Sequence, residues 1–244
     1  ILSAAAAETA GAAKRKMTIC LSPGAIGVGV KSQAELNELA HRHGFESVEP
    51  RADVLAKLAA GQVQELLADL KAKGLVWGAA GLPVDFRGTA EKFEQGLKAL
   101  PPTAAGLRRA GVTRVGTWLM PAHDELTFRK NFQQHAIRLR ETARILKDHG
   151  CRFGLEYVGT MKSRNSRKYP FLHTMAETKE LIAEIGTGNV GFVLDSWHWW
   201  TAGDTEAELL SLKNEDIVSC DLNDAPAGIQ RDDQIDGQRE LPVA

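Results

Sequence analysis

The sequence predicts an α/β protein built on a parallel sheet, and three observations carry that expectation. From Met17 onward, short β-branched or apolar runs alternate with longer stretches of helical period. A glycine closes each helical stretch, at Gly44, Gly74, Gly111, Gly150 and Gly186, spaced 30 to 39 residues apart; glycine accepts the left-handed backbone that ends a helix. Most of the strands end on a polar or aromatic residue, at the edge where parallel α/β folds assemble their active sites. This alternation is met either by an open, doubly wound sheet or by a closed (β/α) barrel.

Seven strands follow in order, at residues 18–21, 47–49, 75–79, 114–119, 153–157, 190–195 and 217–222. The loop after the first carries Gly24, Gly27 and Gly29, but in the order G-x-x-G-x-G rather than the dinucleotide order G-x-G-x-x-G. The first helix begins after those glycines, at Ser32, and Glu35 three residues on completes a capping-box pattern. Leu55, Leu58, Val63, Leu66, Leu67 and Leu70 form the next apolar stripe, weakened at Gly61. The strongest helix spans about residues 125–148, where Phe128, Phe132, Ala136, Leu139, Ala143 and Leu146 recur at steps of three and four. The polar stretch 160–173 is long for a βα connection and reads as a lid or binding loop. Walker-type, G-x-S-x-G and C-x-x-C motifs are absent from the sequence.

Composition narrows the partners. The 244 residues include 30 Lys and Arg against 31 Asp and Glu, so the formal charge is −1 and no net positive field exists to hold nucleic acid or an anionic membrane. Small molecules are the expected partners, and a homo-oligomer is compatible with the composition. No apolar stretch approaches the roughly 18 residues of a membrane span. Cys20, Cys151 and Cys220 are odd in number and far apart in sequence, in apolar runs. They read as buried thiols of a reducing compartment, the cytoplasm. Residues 1–16 are Ala-rich and read as a leader or targeting remnant, which would instead mark an exported protein.

The chemistry gathers at the strand ends. Glu49, Trp118, Glu156, Asp195 and Asp221 all sit there, and Asp195 is followed three residues later by His198. A single acidic strand end such as Glu49 ordinarily caps a helix or pairs with a base. Three of them on nearby strands, with a histidine beside them, are not explained that way. Converging carboxylates repel one another unless a cation neutralises them, which points to a divalent metal at Glu156, Asp195 and Asp221. So oxygen-rich a sphere favours Mn²⁺ or Mg²⁺, with Zn²⁺ or Co²⁺ as alternatives. Trp118 and Glu49 read as substrate contacts, and His173 as either a lid contact or a structural histidine. His41, His43, His123, His135 and His149 are expected to face solvent. Trp197, Trp199 and Trp200 offer an aromatic platform for a sugar face or packing for the following helix. Lys162, Arg164, Arg167 and Lys168 form a basic loop, read as solvated or as a grip on an acidic substrate group.

Leu155-Glu156-Tyr157, Leu194-Asp195-Ser196-Trp197-His198, Asp221-Leu222-Asn223-Asp224-Ala225-Pro226 and Arg239-Glu240-Leu241-Pro242 together resemble the sugar phosphate isomerase/epimerase family, the xylose isomerase-like TIM barrels. The resemblance runs from Met17 to the end. It implies a (β/α)₈ barrel and one divalent metal, held by a Glu of strand five, an Asp of strand six, a residue of strand seven and a Glu of strand eight. By motif the first three are Glu156, Asp195 and Asp221, the last in place of the His found in many relatives. His198 and Arg239 would then contact substrate. The implied activity is that of a sugar, sugar phosphate or keto-inositol isomerase or epimerase. Glu156 would remove the proton next to a carbonyl, through a metal-stabilised enediolate.

Three rivals share the scaffold. A dehydratase or aldolase begins with the same proton abstraction, and a non-catalytic sugar-binding barrel would tolerate Asp221. A multi-zinc endonuclease for abasic DNA fits less well, because early strand ends carry Ala79, Ala80 and Trp118 rather than histidines. Residues 17–244 form the expected domain. Its last 20 residues show no helical period, so the sequence is expected to lack the eighth βα unit, leaving strands one and seven with unpaired edges.

Overall fold

The computed structural model describes residues 17–242; the leader assigned to 1–16 lies outside the described residues. The strands are β1 (Cys20–Leu21), β2 (Ser47–Val48), β3 (Val76–Trp77), β4 (Ala80–Gly81), β5 (Arg114–Leu119), β6 (Ala122–His123), β7 (Arg152–Tyr157), β8 (Tyr169–Pro170), β9 (Val190–Asp195) and β10 (Ile217–Asp221). One parallel set runs β1-β2-β3 and the other β4-β5-β7-β9-β10. β3 and β4 are successive parts of one stave that changes partners, from β2 to β5. The described residues therefore contain seven parallel staves, each beside its predecessor. A doubly wound sheet reverses its strand order at a switch point; none is seen, which decides for the barrel arrangement. β1 and β10 each have one strand partner among the described residues.

Between the staves run α1 (Gln33–Arg42), α2 (Ala52–Leu55), α3 (Ala60–Ala72), α4 (Ala90–Arg109), α5 (Phe128–Asp148), α6 (Met161–Arg164), α7 (Met175–Ile185), α8 (Ser196–Ala202) and α9 (Glu206–Leu210). α5 packs between α4 and α7. Its Ala136, Leu139, Ala143 and Leu146 are buried with Val115, Leu119, Phe153, Leu155 and Tyr157 of the staves in the main core. The five helix-ending glycines all have φ between +66° and +75°, the backbone their positions predicted.

Inside the staves the register sets small residues level with one another. Gly116 pairs with Gly154, and Gly154 with Gly191. A Cβ at Gly154 would lie 2.7 Å from Val193 Cγ2, and one at Gly116 3.0 Å from the same atom. Val193 thus fills the interior below the mouth, and Gly154, hemmed in by Val193 and Val218, leaves little room for a side chain.

Several local expectations are corrected. Ser32 Oγ accepts the Glu35 N–H as predicted, but the Glu35 carboxylate takes the N–H of Lys31, so the capping box is half made. The stripe 55–70 is two helices, α2 and α3, broken before Ala60 rather than at Gly61. The loop 160–173 contains α6 and β8, and β8 pairs antiparallel with β6 to form a ribbon beyond β5. Cys151 is buried and Cys220 half-buried, but Cys20 is exposed. His41 and His43 are exposed; His123 and His149 are half-buried, and His135 is buried.

Candidate active site

Residues paired in register on neighbouring parallel strands face the same side. Trp118 pairs with Glu156, and Asp195 with Asp221, so these four strand-end residues share the inner face of the stave ends. Asp195 is 2% exposed and begins α8 as its N-cap. Its Oδ1 accepts the N–H groups of Trp197 (2.7 Å) and His198 (3.0 Å). Oδ2 accepts Asn223 Nδ2 (2.7 Å) and Arg239 Nη1 (3.0 Å). The cap turns α8 so that His198, also 2% exposed, lies over Glu156, with Nε2 3.9 Å from Glu156 Oε1 and 3.8 Å from Asp236 Oδ1.

The other ring nitrogen, Nδ1, accepts the Gly159 N–H at 3.4 Å. A neutral ring in this setting carries its proton on Nε2 and aims it at the two carboxylates. Burial lowers the His198 pKa, opposed by Asp195 and Asp236, with Arg239 adding to the fall. Glu156 is pushed well above the usual carboxylate range, first by burial, then by the Asp195 and Asp221 charges. Asp221 is pushed up to about 6 by the same kind of causes: burial first, then Asp195, with Glu49 contributing and Arg239 opposing. The Asp221 residue as a whole keeps solvent-exposed surface, while its carboxyl is crowded by these charges at the mouth.

A divalent cation suits this donor set. Glu156, Asp195 and His198 each offer one ligand atom, and those atoms lie within 4.8 Å of one another. The ring proton would have to move to Nδ1 for Nε2 to ligate, which gives up only the long Gly159 contact. Compared with the sequence reading, His198 joins the compact group as a candidate ligand, and Asp221 stands outside it.

The remaining predicted residues divide. Glu49 accepts the Ser22 hydroxyl at 2.6 Å and contributes charge to the mouth. Trp118 is 43% exposed, with the Arg87 guanidinium 4.1 Å over its ring. Arg239 is brought to the carboxylates, but onto Asp195. His173 is not brought there: its ring contacts Arg164 and the Phe171 carbonyl, and its backbone N–H donates to Glu177 at the start of α7. Trp197 is buried and its indole N–H reaches Gln234, whereas Trp200 is exposed. In the basic loop Lys162 pairs with Asp233 and Arg167 with Asp124.

Three site residues were missed by sequence reasoning. Asp236 faces His198 and, at 3.7 Å, Arg239 Nε. Asn223 completes the hydrogen bonds of Asp195. A Cβ on Gly159 would lie 2.2 Å from the His198 carbonyl and 2.6 Å from Ala202 N, so only glycine lets α8 approach β7 this closely. The segment bearing Asp236 and Arg239 is closed by a two-bond backbone bridge between Asp224 and Glu240. The motif Arg239-Glu240-Leu241-Pro242 was the one signal of it in the sequence.

Residues 38–242 match the family described as xylose isomerase-like TIM barrels. The chain belongs to this family. A xylose isomerase domain protein from Alicyclobacillus acidocaldarius shares 34% identity with this TIM barrel, with a TM-score of 0.79 over 92% of this chain and 78% of the other. The IolI protein with a bound zinc atom superposes with a TM-score of 0.72 at 19% identity, over 93% and 79% of the two chains. A D-psicose 3-epimerase solved in the presence of D-fructose gives 0.64 at 14% identity, over 82% and 72%. Comparison with curated proteins found no match. Among the described residues no helix is long and apolar enough to cross a membrane.

Proposed function

We propose that this TIM barrel is a divalent-metal-dependent isomerase or epimerase of a sugar, sugar phosphate or keto-inositol. The observation that carries the reading is the geometry around Glu156: a largely buried carboxylate at the stave ends, 3.9 Å from a buried imidazole and within one compact donor group with Asp195. A carboxylate so placed is positioned to remove the weakly acidic proton next to a carbonyl. The carbon–hydrogen bond breaks, the proton goes to Glu156, and the electron pair moves onto the carbonyl oxygen. Glu156, Asp195 and His198 would hold the metal, which when bound supplies polarisation of that oxygen. For isomerisation the proton of the α-hydroxyl passes to the former carbonyl oxygen, the α-oxygen becomes the new carbonyl, and Glu156 returns its proton to the former carbonyl carbon. For epimerisation the proton returns to the opposite face of the α-carbon, which requires a second acid. Arg239 and Asp236 close over the mouth and orient hydroxyl groups beside it. The sugar-modifying relative and the zinc-bound one support this reading.

The test is exchange of solvent deuterium into the α-carbon of D-fructose, D-psicose or a keto-inositol with Mn²⁺ present. Exchange by the native protein, reduced at least about a hundredfold in Glu156→Gln, is expected. Exchange unchanged in that variant overturns the role of Glu156.

A second reading, a sugar-binding barrel without turnover, is favoured by the four donors already on Asp195, one of them a guanidinium. Metal analysis separates the two: a stoichiometric ion lost in the Glu156→Gln variant supports the enzyme.

A further inference from the structure

Trp118, the register partner of Glu156, also lines a pocket of about 270 Å³ whose polar groups the reaction above does not use. Asn131 and His135 of α5 form part of its wall, with Asp85, Arg87 and Arg167. Two side-chain atoms of these wall residues are buried without a hydrogen-bond partner among the described residues: Asn131 Oδ1, on a residue 1% exposed, and His135 Nε2, on a residue 3% exposed. An unpaired buried acceptor is costly enough to need a reason.

The hydrogen-bond network fixes what these atoms want. His135 Nδ1 lies 2.9 Å from the Asn131 carbonyl, which can only accept, so the ring proton sits on Nδ1 and Nε2 presents a lone pair. Phe86 meets the ring edge-on at 5.5 Å and Phe171 lies 4.8 Å away, which holds its orientation. Burial, opposed by the Asn131 carbonyl and reinforced by Arg87, Arg138 and His123, lowers its pKa to about 4, so it is neutral at pH 7. Both orphans are therefore acceptors.

Arg87 supplies the complementary donor. Its Nη1 is bound to the Trp118 carbonyl and the Thr117 hydroxyl, and the guanidinium is stacked on Trp118 and Phe86; among the described residues Nε and Nη2 have no hydrogen-bond acceptor. A fully ionised phosphate or carboxylate would satisfy Arg87 but bring no hydrogen to His135 or Asn131. Hydroxyl groups satisfy all three, since each both donates and accepts, and the C–H face of a sugar ring packs on indole.

We infer that this pocket is a binding subsite for a vicinal diol of a polyhydroxylated ligand, whose hydroxyls donate to His135 Nε2 and Asn131 Oδ1 and accept from Arg87. Taken with the proposed function, and in that respect resting on it, the pocket holds the end of the sugar remote from Glu156 and selects substrate by its distal hydroxyls.

The probes are D-psicose and myo-inositol, titrated calorimetrically in EDTA into the native protein, Asn131→Leu and His135→Phe. Each substitution is expected to weaken binding about tenfold, with melting temperature unchanged or raised because an orphaned acceptor is gone. Saturation of the native protein should also shift the ¹⁵N resonance of His135 Nε2. Binding within twofold of native in both variants overturns the inference, as does the absence of saturable binding by either probe up to about 100 mM; the pocket then holds water only. If His135→Phe does not fold, Asn131→Leu and the ¹⁵N titration carry the decision. Diol binding without deuterium exchange would sink the enzyme reading and leave this one standing; exchange with variant-insensitive binding would do the reverse.

Discussion

Arg239 Nη1 lies 3.0 Å from Asp195 Oδ2, so a guanidinium from the last described segment sits against the buried carboxylate of the barrel mouth. Any cation shared by Asp195 and Glu156 must compete with it. Arg239→Met keeps the apolar stem and removes the charge. In EDTA the variant should lose about 1–3 kcal/mol of stability, because Asp195 loses its counter-charge. Its Mn²⁺ affinity should rise at least about fivefold. Calorimetric titration with Mn²⁺ reads the second effect, and unchanged or weaker binding would show that the two cations do not compete.

Glu156 makes the metal-free protein sensitive to alkali. Its folded pKa is raised, so the folded state holds the proton more tightly than the unfolded chain. That contribution is complete below the ordinary carboxylate value, near 4.3, and disappears as pH rises through the folded value. Asp221, raised to about 6, acts in the same direction. In EDTA the melting temperature should therefore fall from pH 5 to pH 8. Glu156→Gln should be more stable at pH 8, by about 2–4 °C for each kcal/mol relieved. A flat native profile in EDTA would contradict the crowding of carboxylates described here.

His135 acts at the other end of the scale. Its folded pKa, about 4, lies below the ordinary 6.5, so its neutral form stabilises the fold above pH 6.5 and that stability is lost as pH falls toward 4. The difference corresponds to about 3 kcal/mol. Urea unfolding at pH 7 and pH 4.5 should show a smaller acid loss in His135→Phe than in the native chain.

Gly159 is a packing requirement of the site. An added methyl would press on the His198 carbonyl and on Ala202, both backbone neighbours in α8. Gly159→Ala should cost about 1–3 kcal/mol and, by moving α8, impair metal binding as well. Stability within 0.5 kcal/mol of native would mean that α8 yields freely.

The strand ends were legible because burial on both faces leaves a carboxylate little reason to be there: Glu156 and Asp195 stood out as acids closing apolar runs. His198 was visible by its three-residue offset from Asp195. Asp236 and Asn223 were not, since each lies in a polar stretch where an acid or amide is unremarkable, and their importance comes from a loop folding back over the mouth. His135 was misread as exposed because α5 carries it one residue before Ala136, on the edge of a stripe defined by apolar residues alone.

The sequence by itself determined the alternation of strands and helices, the glycine stops with their left-handed backbone, and the acids at the stave ends. These follow from local propensity and from the periodicity of burial, which neighbouring residues encode. Periodicity alone left an open sheet and a barrel both standing; the motif resemblance implied the barrel, and the strand adjacency of the tertiary structure, a long-range property, decided for it. Only the tertiary structure brought Arg239 onto Asp195 across 44 residues and left His135 and Asn131 with unmet acceptors beside Trp118. Such relations depend on which surfaces meet when helices and loops close over the staves, and spacing along the chain does not carry them.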